Sequence, residues 1–225
     1  MTIMVSCDKE DAKLLDEIDS YLIENGTEWI YQSTTIKKVY ESEAFNKIID
    51  IDSIISTYSV FVDKDIVLND SLVVKQIKIS EGNFINYVYL LIDSEGVKVY
   101  GYKNHGFDEI TMFEMPWLTV KLPLFENSSW ISQYPQGLNS STITKEVIGS
   151  DELEIKNTSF KCFKVRIISD SVSYKDAEML EWISQQGKIK EQIEFEAKTL
   201  TSFDNTNSHI QLTYITSLVE LKIKE

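Results

Sequence analysis

Between Trp29 and Lys222 the chain is written in short runs in which apolar and polar side chains alternate. A period of two sends successive side chains to opposite faces of an extended backbone, so each run predicts a strand with one dry and one wet face. Ile189, Ile193 and Phe195 alternate in this way with Lys190, Gln192, Glu194 and Glu196. Only 3 prolines and 8 glycines occur in 225 residues, so Asn, Asp and Ser must make most of the turns. Candidate strands are 29–40, 54–62, 72–79, 84–92, 97–103, 117–122, 128–133, 142–148, 153–156, 160–168, 179–184, 188–196 and 210–222. The last is expected to break near Ser217, and the stretch 177–184 reads equally as a short helix. Many short strands with turn signals between them argue for antiparallel sheet rather than strand–helix–strand units.

The start of the chain follows a different period. Leu14, Leu15, Ile18 and Leu22 recur at helical spacing, predicting a helix over Asp8–Asn25 that Gly26 terminates. The expected fold class is therefore mainly β, with one or two curved antiparallel sheets and one N-terminal helix. Its divisions are an N-terminal segment (1–26), a first β unit (27–114) and a second (115–225), packed as one compact structure.

The two units are suggested by self-similarity. Ser71–Ile79 aligns without gaps on Ser159–Ile167, and Leu91–Val99 aligns on Trp182–Lys190. Trp29 and Trp130 stand near the start of each copy. Such a pattern is what an internal duplication leaves, although amphipathic strands also resemble one another for simpler reasons.

Charge and reactive residues exclude more than they assign. A net charge of −14 gives no clustered positive footprint for nucleic acid, and Arg166 is the only arginine. The plain reading of that acidity is solubility. His105 and His209 both stand in turn-like contexts without a partner at metal-ligand spacing. No Gly-x-Ser-x-Gly elbow, phosphate loop or Cys–His pairing occurs, and neither cofactor nor metal is expected. A hydrolase assembled from paired carboxylates is the enzymatic alternative, since 36 acidic residues make such a pair easy to form. Cys162 lies in an alternating run, where a small, partly buried side chain is the ordinary occupant.

Cys7 has another context. Met1–Cys7 is a short apolar stretch ending in a small residue and a cysteine, followed by Asp8-Lys9-Glu10-Asp11. It resembles the end of a bacterial lipoprotein signal, in which the cysteine becomes the lipidated first residue. The positive leader region is missing, and the apolar stretch falls short of the roughly 7–15 residues of a signal. Either the true start lies upstream, or Cys7 is an ordinary terminal cysteine and the protein is cytoplasmic.

A second resemblance runs from about Pro116 to Phe195. Leu122–Trp130, Val147–Glu152, Ser159–Val165 and Trp182–Lys190 are similar to successive strand motifs of uncharacterised bacterial lipoproteins with a duplicated antiparallel β unit. Asn127 stands where those have a first glycine, and one hairpin glycine is absent. The resemblance implies curved sheets related to lipoprotein carrier folds, an extracytoplasmic location and no assigned activity. Contact with a membrane would come only through a lipid on Cys7.

The remaining candidate site is aromatic. A two-residue loop at Ser94-Glu95 would set Tyr89 opposite Tyr100 and Tyr87 opposite Tyr102, with Val88, Leu90 and Ile92 on the other face. A type I turn with Gly96 at its fourth position and a one-residue bulge would shift the register and break that ladder. The four tyrosines could contact a hydrophobic ligand or a protein partner, or simply stabilise the sheet. Together these features predict a non-enzymatic extracytoplasmic scaffold binding a hydrophobic ligand or partner. A surface assembly protein without a small-molecule ligand is the alternative.

Overall fold

A computed structural model describes residues 17–40, 47–69, 71–133, 142–170, 177–200 and 207–223. They form β1 (Glu28–Tyr40), β2 (Ile48–Leu68), β3 (Leu72–Glu81), β4 (Phe84–Asp93), β5 (Gly96–Lys103), β6 (Thr111–Lys121), β7 (Ser129–Gln133), β8 (Thr142–Ile155), β9 (Thr158–Ser169), β10 (Glu178–Ser184), β11 (Gly187–Leu200) and β12 (Asn207–Lys222). All pair antiparallel in one 12-stranded sheet of order β6-β5-β4-β3-β2-β1-β12-β11-β10-β9-β8-β7. Two six-stranded meanders thus lie side by side, joined where β1 pairs with β12.

The sheet curls until its outer strands meet. Trp117 Nε1 on β6 donates to the Ser132 hydroxyl on β7, which donates to the Leu118 carbonyl at 2.6 Å. No β6–β7 ladder accompanies these bonds among the described residues, so the barrel-like wall is nearly closed and side chains hold its seam.

The two meanders use the same register at corresponding points. Val62 pairs with Ile77 and Val147 with Val165, and each ladder bulges at the next step, between Val62/Lys64 and Val147/Gly149. Trp29 pairs with Val60, and Trp130 pairs with Lys145. The two-residue loops between Asp93 and Gly96, and between Ser184 and Gly187, also correspond.

Several expectations are corrected. Over its described part the N-terminal helix does not form: Ile18 exchanges both backbone hydrogen bonds with Leu124 at 2.8 Å, and Leu22 N donates to the Gln185 carbonyl at 2.9 Å. These amides find partners on the barrel, and the supposed apolar stripe is split, Ile18 being buried while Leu22 is 52% exposed. Residues 8–16 of that helix, and Cys7, lie outside the described residues. Gly26 does take a positive φ of 95°, in a turn where Thr27 N donates to the Glu24 carbonyl.

The runs 142–148 and 153–156 are one strand, and 177–184 contains a strand rather than a helix. β12 passes Ser217 unbroken, because a bulge opposite Ile30/Tyr31 absorbs the irregularity. His209 belongs to β12 and not to a turn. The boundary expected between 114 and 115 falls inside β6, and the passage from one meander to the next is made at 122–128.

Candidate functional site

The sheet walls a half-open cavity of about 450 Å³, to which every strand from β1 to β6 and from β8 to β11 contributes. That volume lies within the roughly 300–1,000 Å³ usual for small-molecule sites. Alternation decides which residues reach it. On β10, Met179, Glu181 and Ile183 face inward, so Leu180 and Trp182 face out. The extended N-terminal segment adds Tyr21 and Ile23 to the lining.

One wall is aliphatic and aromatic: Val60, Ile77, Leu90, Val97, Trp117 and Val120. The other carries four charged side chains in alternating order. Lys145 Nζ bonds Glu181 Oε2 at 2.6 Å, Lys188 Nζ stands 4.0 Å from Glu181 Oε1, and Lys188 Nζ bonds Glu191 Oε2 at 2.6 Å. The inner pair is closed off, with side chains 7% and 10% exposed, while Lys188 and Glu191 remain 35% and 26% exposed. Burial pushes the Glu181 carboxyl up, but Lys145 and Lys188 outweigh it and hold the group below the usual carboxylate range. Burial pushes Lys188 down, yet Glu191 and Glu181 raise it well above the ordinary ammonium range. Glu181 is therefore a carboxylate and Lys188 an ammonium at neutral pH. Beside it, the Tyr31 hydroxyl donates to the Lys188 carbonyl at 2.7 Å, and its ring stacks on Tyr58 with centroids 5.2 Å apart.

The tyrosines singled out in the sequence lie elsewhere. The Ser94-Glu95 loop forms, with Asp93 opposite Gly96, but a bulge at Tyr100 then sets Tyr89 against Gly101 and Val88 against Tyr102. The tyrosine ladder is absent for that reason. Tyr89 is buried on the outer face with Leu68 and Val74, with Tyr87 and Tyr100 packed against this cluster. Tyr102 leans on Phe113 at 5.7 Å between ring centroids.

Cys162 is fully buried, and burial followed by the Asp151 charge pushes its thiol up to about 12. It is no nucleophile there. His105 is exposed on a turn, where its backbone N–H donates to Asn86 Oδ1. Among the described residues no group of three or more His, Cys, Asp or Glu side chains gathers to hold a metal, and no helix is long and apolar enough to cross a membrane. Trp29, Trp130 and Trp182 are buried, and Trp130 Nε1 lacks a hydrogen-bond acceptor.

Sequence reasoning missed the charged wall because Lys and Glu in an alternating run read as the wet face. The signal lay in the internal alignment: Val97 falls on Lys188, and Leu90, one place before the aligned segment, falls on Glu181. A charge standing where the other copy is aliphatic marks a position under a different demand.

No family model matches the chain, and no curated protein is significantly similar to it. Among solved structures, a presumed exported protein from Bacteroides fragilis with a YmcC-like fold matches 92% of this chain and 100% of its own, at 12% identity and a TM-score of 0.37.

Proposed function

We propose that this protein is a non-enzymatic binding scaffold that holds a hydrophobic ligand inside its barrel and works outside the cytoplasm. The cavity carries the reading: about 450 Å³ of space walled on one side by aliphatic and aromatic residues. Twelve strands make a wider wall than the roughly eight that side chains can fill, and a carrier uses the space left over. Glu181 argues against paired-carboxylate hydrolysis, because a carboxyl held ionised by two lysines has no proton to give as a general acid. Native mass spectrometry after gentle purification tests the reading. A bound apolar species released on unfolding supports it; an empty protein that also takes up no apolar probe rejects it.

The extracytoplasmic tether rests on the context of Cys7. Radiolabelled palmitate entering the full-length gene product, and lost in Cys7→Ala, supports it; an unlabelled wild type rejects it. The matched register of the two meanders, at the bulges after Val62 and Val147 and at the Trp29 and Trp130 pairs, supports an internal duplication as the origin of the barrel.

A second reading, surface assembly, is favoured by β2. Ile49, Ile51, Ile54 and Ile55 are 54–65% exposed there. Over Ile48–Tyr58 the strand pairs with β1 alone among the described residues, which leaves an apolar edge unprotected.

A further inference from the structure

We infer that the ligand is an amphiphile with an uncharged, hydrogen-bonding head, seated head-first on the charged wall with its tail along the aliphatic one. This rests on the ligand-binding reading above and deepens it.

The two walls occupy corresponding positions of the two meanders. Val62 and Val147 pair equivalently, so Val60 corresponds to Lys145. Both are opposite the corresponding tryptophans, Trp29 and Trp130. Counting from the two-residue loops, Leu90 corresponds to Glu181 and Val97 to Lys188. All six side chains line the same cavity. One half therefore presents Val, Leu and Val where the other presents Lys, Glu and Lys. The cavity is two-faced because the halves differ at their equivalent inward positions.

The head's chemistry follows from the charge order. Lys145, Glu181, Lys188 and Glu191 run plus, minus, plus, minus, and already balance. A charged head would add an uncompensated charge to a poorly solvated wall, a costly placement. An uncharged head with both donor and acceptor, such as a hydroxyl or a glycerol ester, adds none. Lys188 has three N–H donors and makes one short bond, to Glu191; the 4.0 Å approach to Glu181 is too long for a second. Its partial exposure leaves the remaining donors facing the cavity, and the carboxylate of Glu191 beside it can accept.

The test titrates the full-length protein with 1-dodecanoylglycerol, dodecanoate and dodecylamine, each below its micellar concentration, following the fluorescence of the cavity tryptophans Trp29 and Trp117. The glycerol ester is expected to bind about tenfold more tightly than the acid or the amine, the difference a hydrogen bond to a charged group provides. In Lys145→Val/Glu181→Leu/Lys188→Val, which copies the other half at three positions, Glu191 is the one charge of the four left on the wall, so the preference should pass from the ester to dodecylamine while binding of the chain persists. Should that variant fail to fold, Lys188→Met carries the same expectation. Tighter binding of dodecanoate or dodecylamine than of the ester by the wild-type protein overturns the inference and leaves the carrier reading intact. No binding of any probe, with Val97→Phe indistinguishable from wild type, removes the carrier reading itself.

Discussion

Lys145 on β8 and Glu181 on β10 reach over the intervening strand β9 to meet at 2.6 Å, with both side chains almost wholly buried. Removing one member strands a charge, whereas removing both restores an apolar wall. Lys145→Val is therefore expected to cost about 3 kcal/mol, and Lys145→Val/Glu181→Leu to be close to neutral. Urea unfolding of the two single variants and the double variant, read as a thermodynamic cycle, checks this. A loss in the double variant equal to the sum of the two single losses would show that the pair is not coupled.

The same quartet sets a pH dependence. Glu181 is depressed below its unfolded value of about 4.3, so its contribution to stability is complete above that pH and is lost as pH falls further. Lys188 and Tyr31 are raised, so theirs is complete below about pH 10 and is lost as pH rises beyond it. Denaturation midpoints across pH 3–11 should form a plateau with a fall at each end. The acid limb should flatten in Lys145→Met/Glu181→Gln.

Cys162 should be silent in the native protein. With its thiol pushed up to about 12 and no solvent access, iodoacetamide at pH 8 should modify it only after denaturant is added. Peptide mass spectrometry assigns the label to this residue and not to Cys7.

Two glycines should behave in opposite ways. A Cβ on Gly96 would lie 2.0 Å from the Val120 carbonyl oxygen, and its φ is 146°. Gly96→Ala is expected to cost about 3 kcal/mol or more, because β6 must move away. Gly82 has a φ of 55° with open space around it, so Gly82→Ala should cost only about 1 kcal/mol. Thermal unfolding of both variants separates crowding from conformational strain.

The exposed edge of β2 predicts a solubility effect. Ile51→Lys/Ile54→Lys should change stability by no more than about 0.5 kcal/mol, since both positions face solvent. If the strand serves assembly, the same change should abolish concentration-dependent association in sedimentation velocity. An unchanged sedimentation profile would exclude that role for this strand.

What was legible in the sequence was the local pattern. Alternation located the strands, and the alignment of Ser71–Ile79 with Ser159–Ile167 pointed to segments that occupy the third strand of each meander. Two kinds of information were hidden. Ile18 and Leu22 have helical spacing, but their backbone bonds go to Leu124 and Gln185, more than a hundred residues away. Tertiary pairing overrides local period, and no window of sequence contains it. The cavity's charged wall was hidden for another reason, since alternation puts Lys188 and Glu191 on opposite faces, and the bulge at Ile189 together with the curl of the sheet brings both inside. The tyrosine ladder failed on one residue: the Ser94-Glu95 loop was as expected, and the Tyr100 bulge was not.

The pairing of β1 with β12 has a kinetic consequence. Within each meander nearly every ladder joins neighbours in the chain, but Glu28 and Lys222 meet across 194 residues and clasp each other at 2.9 Å. Closing so long a loop is entropically unfavourable until much else is in place, and non-local strand pairing is slow. The order of assembly follows: each half zips up from its own hairpins, and the two halves then dock along β1 and β12. A chain cut in the passage at 122–128 should therefore yield two fragments that find each other, with the rate of their meeting set by concentration.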